Sequence, residues 1–489
     1  MRKTLHPLDF RRDLRYTYSK RPRAIHSERQ VSSLSNRYEI DMCNGPLAGK
    51  LLRFTLPLML SGILQLLFNA ADIVVVGRFA ADGNTALAAV GSTGSLINLI
   101  VNLLIGLSVG ASVVVSRAFG ARNAGAVDRA VHTAITVAGV GGVIVGIFGF
   151  CFASTFLSWM DTPDNVLAAA SLYVRIYFCG LPAMMLYNFG SSILRAVGDT
   201  RRPLVYLSIA GAVNVVLNLF FVIVLHIDVA GVALATVISQ CISAFLVIRC
   251  LIVNGGTVKL NPRHLGIHRG ELGQIVRIGL PAGIQGSLFS ISNVLIQSSI
   301  NSFGEIVMAG NAAAGNIEGF IYTAMNAFYQ ATLNFTGQNI GAGKMDRVRR
   351  VAFLATGMVT AVGGVLGMLA FVFGEQLLSI YRPGETEVIA AGMIRLSYVA
   401  VTYFLCGVME VLVGSLRGMG RSIMPMIVSL LGACGLRIVW IYTIFAANHT
   451  IETLYLSYPV SWIATSAVHG ICVFVTYRSV KQRLDAVSP

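Results

Sequence analysis

Twelve stretches of apolar residues recur along this chain, at roughly 54–76, 87–115, 132–158, 167–193, 204–226, 229–251, 276–300, 307–335, 351–373, 387–415, 424–446 and 453–476. A helix of about 20 apolar residues crosses the hydrocarbon core of a bilayer. Lipid offers no partner to open backbone groups, so helices are the form expected for such stretches. A large barrel would show short alternating segments instead, and none is visible. Composition agrees: the 489 residues are 55% hydrophobic and only 12% charged, about half the charged fraction of a soluble domain. The expectation is an all-α membrane protein with twelve transmembrane helices.

The formal charge of +15 suggests nucleic acid at first, but its distribution argues for a membrane. Of the 37 Lys and Arg, 32 lie in the N-terminal segment, the even-to-odd connections and the C-terminal tail. The alternate connections hold only Arg78 and Arg382, and Arg175, Arg395 and Arg437 fall within spans. Basic residues collect on the cytoplasmic side, so both termini are expected there, in an integral plasma (inner) membrane protein. An even number of spans requires the same. Residues 1–41 are basic and poor in apolar residues, as expected of a disordered cytoplasmic tail, or of an upstream start with Met42 as the natural first residue. No cleavable signal peptide is visible, and the cysteines read as small lipid-buried hydrophobes.

The halves repeat. GKLLRFTLP at 49–57 matches GQIVRIGLP at 273–281, GARNAGAVDRA at 120–130 matches GAGKMDRVRRV at 341–351, and LRAVGDTRRP at 194–203 matches LRGMGRSIMP at 416–425. A near-constant offset implies two six-span halves. Six is even, so the halves are parallel repeats, a design that binds substrate between lobes and alternates access. The expected division is 42–253 and 273–478 as six-helix lobes, 254–272 as a cytoplasmic linker and hinge, and 479–489 as a cytoplasmic tail.

At NGPLAGKLLRFTLPLM, FNAADIVVVGRF, SRAFGARNAGAVDRA, LRAVGDTRRP, NVVLNLFFV and VAGVALATVISQ the sequence resembles the multidrug and toxic compound extrusion (MATE) family. The resemblance covers the chain from Met42 onward. It implies twelve helices in two lobes, and export of organic cations and dyes coupled to inward H⁺ or Na⁺ flow. Asp72 matches a span 1 acid that resembles the family's cation-coupling carboxylate. Where one branch of the family has a second Asp, this chain has Asn218.

Intramembrane charge is costly, so each charged residue within a span is a candidate functional group. Three carboxylates lie clearly within spans: Asp72, Glu318 and Glu410. Asp72 has no mate in the second half, where Ile296 stands. Asn214 and Asn218 lie one turn apart on one face and join Asp72 as cation-coupling candidates, or act as interhelical glue. Glu410, mate of Asn188, is expected to pair with Arg437 in the next span. Candidates for the substrate cavity or gating are Asn69, Asn188, Gln285, Asn293, Glu318, Glu410 and Arg437. Rings and methionines such as Phe68, Met184, Met185, Tyr187, Phe289, Phe328 and Tyr329 suit flat cations, though most are expected simply to pack. The arginines of the inner loops suit turns and snorkelling.

No metal-ligand spacing, nucleophile–base set or cofactor motif is present, so neither an enzyme nor a resident cofactor is expected, only a coupling ion, H⁺ or Na⁺. The expected partners are small-molecule substrates and the lipid bilayer, with no nucleic acid, for a monomer. The reading is a secondary active antiporter exporting cationic or amphipathic organic compounds. The alternative is a flippase for a lipid-linked precursor, which needs several basic residues in its cavity, whereas only Arg437 reads as deep.

Overall fold

The computed structural model describes residues 38–79, 83–253 and 258–486. The tail expected at 1–41 lies outside them up to residue 37, as do 254–257 and 487–489. All twelve expected segments are helical. They are α1 (Leu47–Phe79), α2 (Gly83–Gly120), α3 (Ala124–Trp159), α4 (Asp164–Cys179, then Leu181–Ala196), α5 (Arg201–Val224) and α6 (Asp228–Val253), followed by α7 (Arg269–Asn301), α8 (Glu305–Gly341), α9 (Met345–Val372), α10 (Thr386–Ala400, then Phe404–Gly418), α11 (Ile423–Phe445) and α12 (Ile451–Asp485). A short helix, Gly374–Tyr381, joins α9 to α10.

Eight of these are long and apolar enough to cross a membrane singly, and α4 and α10 do so as spans bent by 46° and 41°. The two others, α7 and α8, have ample length at 33 and 37 residues but are more polar. Protein rather than lipid surrounds the last part of α8. From Ala327 to Gly341 every residue except Gln330 is buried, including Thr332, Asn334, Gln338 and Asn339. Apolar side chains exposed on the outer helices, such as Ile144, Ile147, Phe148, Phe353 and Leu431, are what a lipid-facing surface requires.

The sequence repeat reappears as geometry. Gly198 and Gly420 end the matched turns after α4 and α10, both with positive φ (98° and 75°), a conformation glycine adopts without steric cost. Ser112 and Asn334, 222 residues apart, bond to each other at 2.8 Å, so α2 and α8 meet about the pseudo-twofold axis. The most extensive helix contact joins α2 to α7. A Cβ on Gly106 would stand 2.1 Å from the Gly283 nitrogen, and one on Gly110 2.2 Å from the Ile275 carbonyl oxygen. Small residues let backbones approach this closely, which is how membrane helices gain packing energy without a hydrophobic drive.

The structure adds detail to two connections. The segment between α6 and α7, read as a hinge, is pinned to α3. The Asn261 amide donates to His132 Nε2 at 3.0 Å, the His268 amide donates to Thr133 at 3.1 Å, and Arg129 pairs with Glu271 at 2.6 Å. Residues 479–485, read as tail, continue α12 because Val480 and Leu484 bury against Ile340, Val348 and Leu416.

Candidate functional site: an acid–amide cluster in the first lobe and a buried ionic network in the second

In the first lobe α1, α5 and α6 bring four polar side chains together. Asn218 Nδ2 donates to Asp72 Oδ1, and lies 3.3 Å from Asn214 Oδ1. Asn214 Nδ2 in turn approaches Thr236 Oγ1 at 3.5 Å. The one-turn spacing of the two asparagines places both on the α5 face turned to α1 and α6. Asn218 is fully buried, and its Oδ1 has no hydrogen-bond partner among the described residues. No ion pair to Asp72 is present among them. A buried amide oxygen without a donor is uncommon and asks for an explanation. Around it stand a carboxylate, a second amide oxygen and a hydroxyl. Thr236 was missed in the sequence because a lone threonine in an apolar helix reads as ordinary packing. Its position in VAGVALATVISQ, among motifs shared with the family, was the available signal. Asn69 is exposed, and Asn188 donates to the Met184 carbonyl of its own helix at 2.9 Å, so neither joins the cluster.

In the second lobe the structure corrects the expected pairing. Arg437 does not pair with Glu410. Its Nε donates to Ser461 Oγ at 2.8 Å, and its guanidinium lies over the rings of Tyr458 (4.2 Å) and Trp462 (5.5 Å). The ion pair joins Glu318 to Arg395, with two parallel bonds of 2.7 Å, and Arg395 also donates to Asn311. A bidentate fork of this kind is the strong form of the interaction. Glu410 is buried with no ion pair among the described residues. Arg417 lies two turns along the same helix. Arg417 itself does not snorkel: it is buried and donates to Tyr329 Oη at 2.6 Å and to Gln285 Oε1 at 2.9 Å. Among the described residues of this lobe three arginines are therefore buried (Arg395, Arg417 and Arg437), where only Arg437 was expected to be deep. Asn293 is exposed on α7.

Most of the rings and methionines pack. Phe328, Met184 and Met185 are buried core residues. The Phe68 ring occupies the space a side chain on Gly211 would need. Among the described residues no three His, Cys, Asp or Glu converge as metal ligands.

A two-lobed bundle of paired repeats, with an uncompensated acid in one lobe and ionic chemistry buried in the other, defines a membrane transporter of the parallel-repeat class. The family model MatE matches residues 57–220 and again 281–443. The chain belongs to the MATE family. It is 28% identical over 439 residues to "Probable multidrug resistance protein YoeA" of Bacillus subtilis, covering 87% of this chain and 92% of that one. It is 22% identical to "Probable multidrug resistance protein NorM" of Thermotoga maritima, covering 90% and 92%. Among solved structures it superposes on an outward-facing multidrug resistance MATE family transporter of the MOP superfamily with a TM-score of 0.84, at 20% identity over 90% of this chain and 98% of that one. A MOP superfamily transporter from Pyrococcus furiosus gives a TM-score of 0.79 at 22% identity, covering 92% and 98%.

Proposed function

We propose that this protein is a secondary active antiporter that exports cationic or amphipathic organic compounds in exchange for H⁺ or Na⁺. The observation that carries the coupling is Asp72 held by the Asn218 amide, with no ion pair among the described residues, beside an Asn218 oxygen that lacks a donor. A negative charge in the membrane is expensive without a partner. A cation entering the cluster neutralises it, and with four oxygens (from Asp72, Asn214, Asn218 and Thr236) the site offers hard donors suited to Na⁺ as readily as to a proton on the carboxylate. Asn218 cannot titrate, so one carboxylate carries the whole charge change. Occupation of the site then favours one arrangement of the lobes, and release favours the other, which is the thermodynamic requirement for coupling. The names of the bacterial relatives support multidrug export as the cargo class.

Reconstituted vesicles test this. A pH gradient and a Na⁺ gradient, imposed separately, should drive efflux of a fluorescent organic cation in at least one case. Asp72→Asn should insert and fold as the parent does but lose gradient-driven efflux. Efflux at the parental rate by that variant would remove Asp72 from the coupling role. The flippase reading draws on the three buried arginines. Each already has a partner, Arg395 in Glu318, Arg417 in Tyr329 and Gln285, and Arg437 in Ser461 and the Tyr458 ring, so a phosphate would have to displace one of these. Accumulation of a lipid-linked sugar in a deletion strain, with dye resistance unchanged, would favour the flippase.

A further inference from the structure

The segment just before α1 lies across the cytoplasmic ends of both lobes. Its first end rests on the first lobe, where the turn after α4 receives it. A Cβ on Gly198 would lie 2.5 Å from the Ile40 nitrogen and 2.6 Å from the Ile40 oxygen, so only a glycine admits Ile40 there. The Arg202 guanidinium covers the Tyr38 ring at 4.6 Å. Asp41 folds the middle into a tight turn by accepting from the amides of Cys43 and Asn44 at 2.9 and 3.2 Å. That turn leaves three consecutive backbone carbonyls, those of Met42, Cys43 and Asn44, facing the second lobe. Each is taken by a side chain of the α8–α9 corner. Asn339 and Arg347 Nε donate to the Met42 oxygen at 3.1 and 3.0 Å, Lys344 to the Cys43 oxygen at 3.0 Å, and Arg347 Nη2 to the Asn44 oxygen at 2.9 Å. Met42 itself is fully buried among Leu51, Phe54 and Phe335. Beneath the segment, Gln338 Nε2 reaches the Ala196 carbonyl of the first lobe at 2.7 Å.

We propose that Lys344 and Arg347 are inside-gate residues, which clamp residues 38–45 across the seam and hold the cytoplasmic side of the lobes closed until the segment is released. The inference rests on the alternating-access reading above. The physics is a count of attachments. The second lobe cannot swing away from the turn at Gly198 while one stretch of backbone is packed on the first lobe and bonded to the second. Two cations and one amide hold carbonyls here, and charge-assisted bonds are stronger than neutral ones. They are also partly exposed, so each is weak enough to break in a transport cycle. A covalent lock would hold the lobes permanently, and a single neutral bond would not hold them at all. Nothing in the cation cluster of the first lobe touches this segment, so its residues set the gate rather than the coupling.

Cys43 gives the gate a built-in reporter. Its Sγ lies 3.9 Å from Gln338 Oε1, and burial, with the Asp41 carboxylate, pushes its thiol up to about 11. In a background that keeps Cys43 as the sole native thiol, Gln338→Cys places a second thiol beside it. Oxidation should form the disulfide and reduce dye efflux about tenfold or more, with recovery on reduction, because gating steps limit turnover. No disulfide, or oxidised efflux within about twofold of the reduced protein, overturns the gate. A second readout needs no transport: Lys344→Gln/Arg347→Gln should raise the maleimide reactivity of Cys43 in inside-out vesicles several-fold, and Lys344→Arg/Arg347→Lys should keep it slow. Equal reactivity in parent and both variants overturns the proposal. Absence of gradient-driven efflux in the reduced protein instead defeats the antiporter reading, and the reactivity series then decides the gate alone.

Discussion

At the scale of single residues, the cost of charge in a membrane made the sites legible and the partners illegible. Asp72, Glu318 and Glu410 stand out in the sequence because a carboxylate in a span demands a reason. Which arginine meets which acid depends on helix rotation, and the sequence lacks it. Arg395 and Glu410 share α10, but a π-helical turn at Leu396–Ala400 and a 41° bend separate them. Extrapolating one helical face across that break fails. Arg437 was given an acid because a lone buried arginine reads as incomplete, yet the rings of Tyr458 and Trp462 supply its partner through their faces. The revised pairing is testable. Glu318→Gln or Arg395→Gln alone should destabilise the detergent-solubilised protein by about 3–5 kcal/mol, since each strands a buried charge. The double variant should recover much of that loss. Glu410→Gln combined with Arg437→Gln should be additive in the same thermal assay, because no bond joins them. A coupling energy at 410/437, with none at 318/395, would restore the pairing expected from sequence.

At the scale of elements, hydropathy located all twelve helices, because lipid-facing length and apolarity are written directly into composition. Their ends ran past the expected bounds wherever amphipathic turns emerge into water, as α12 does to Asp485. What the sequence held but did not announce was the α2–α7 seam. Glycines are common in membrane helices, and only contact distinguishes a seam glycine from a lipid-facing one. Gly279→Leu would drive its side chain into the Leu107 backbone, since even a Cβ there lies 2.6 Å from the Leu107 Cα. A backbone cannot yield as a side-chain tip does, so this variant should fail to give a monodisperse folded protein, beyond the 1–3 kcal/mol or so of ordinary overpacking. Gly364→Leu, with nothing within 4 Å, should express and melt like the parent. Equal behaviour of the two variants in size-exclusion and thermal-melt profiles would mean that the seam is not built as described.

At the scale of the whole molecule, the repeat was legible because duplicated turns need the same residues twice, as Gly198 and Gly420 show. The axis relating the halves was not, since it emerges only when Ser112 and Asn334 meet. Orientation in the membrane follows from charge, and it decides which side the segment over Gly198 closes. The ends of α2, α4 and α10, which carry Arg117, Arg195 and Arg417, and the start of α9, with Lys344 and Arg347, all lie at that side. Lys and Arg are retained on the cytoplasmic face during insertion, so this is expected to be the inner end of the seam. In a background without native cysteines, Lys259→Cys, in the segment pinned to α3, should react with an impermeant maleimide only after the inner surface is opened. Asn448→Cys, between α11 and α12 at the opposite end, should react in intact cells. The reverse pattern would place both termini outside. It would also turn the clamp of Lys344 and Arg347 into an outer gate, so that the same crosslink between residues 43 and 338 would trap substrate entry from the opposite compartment.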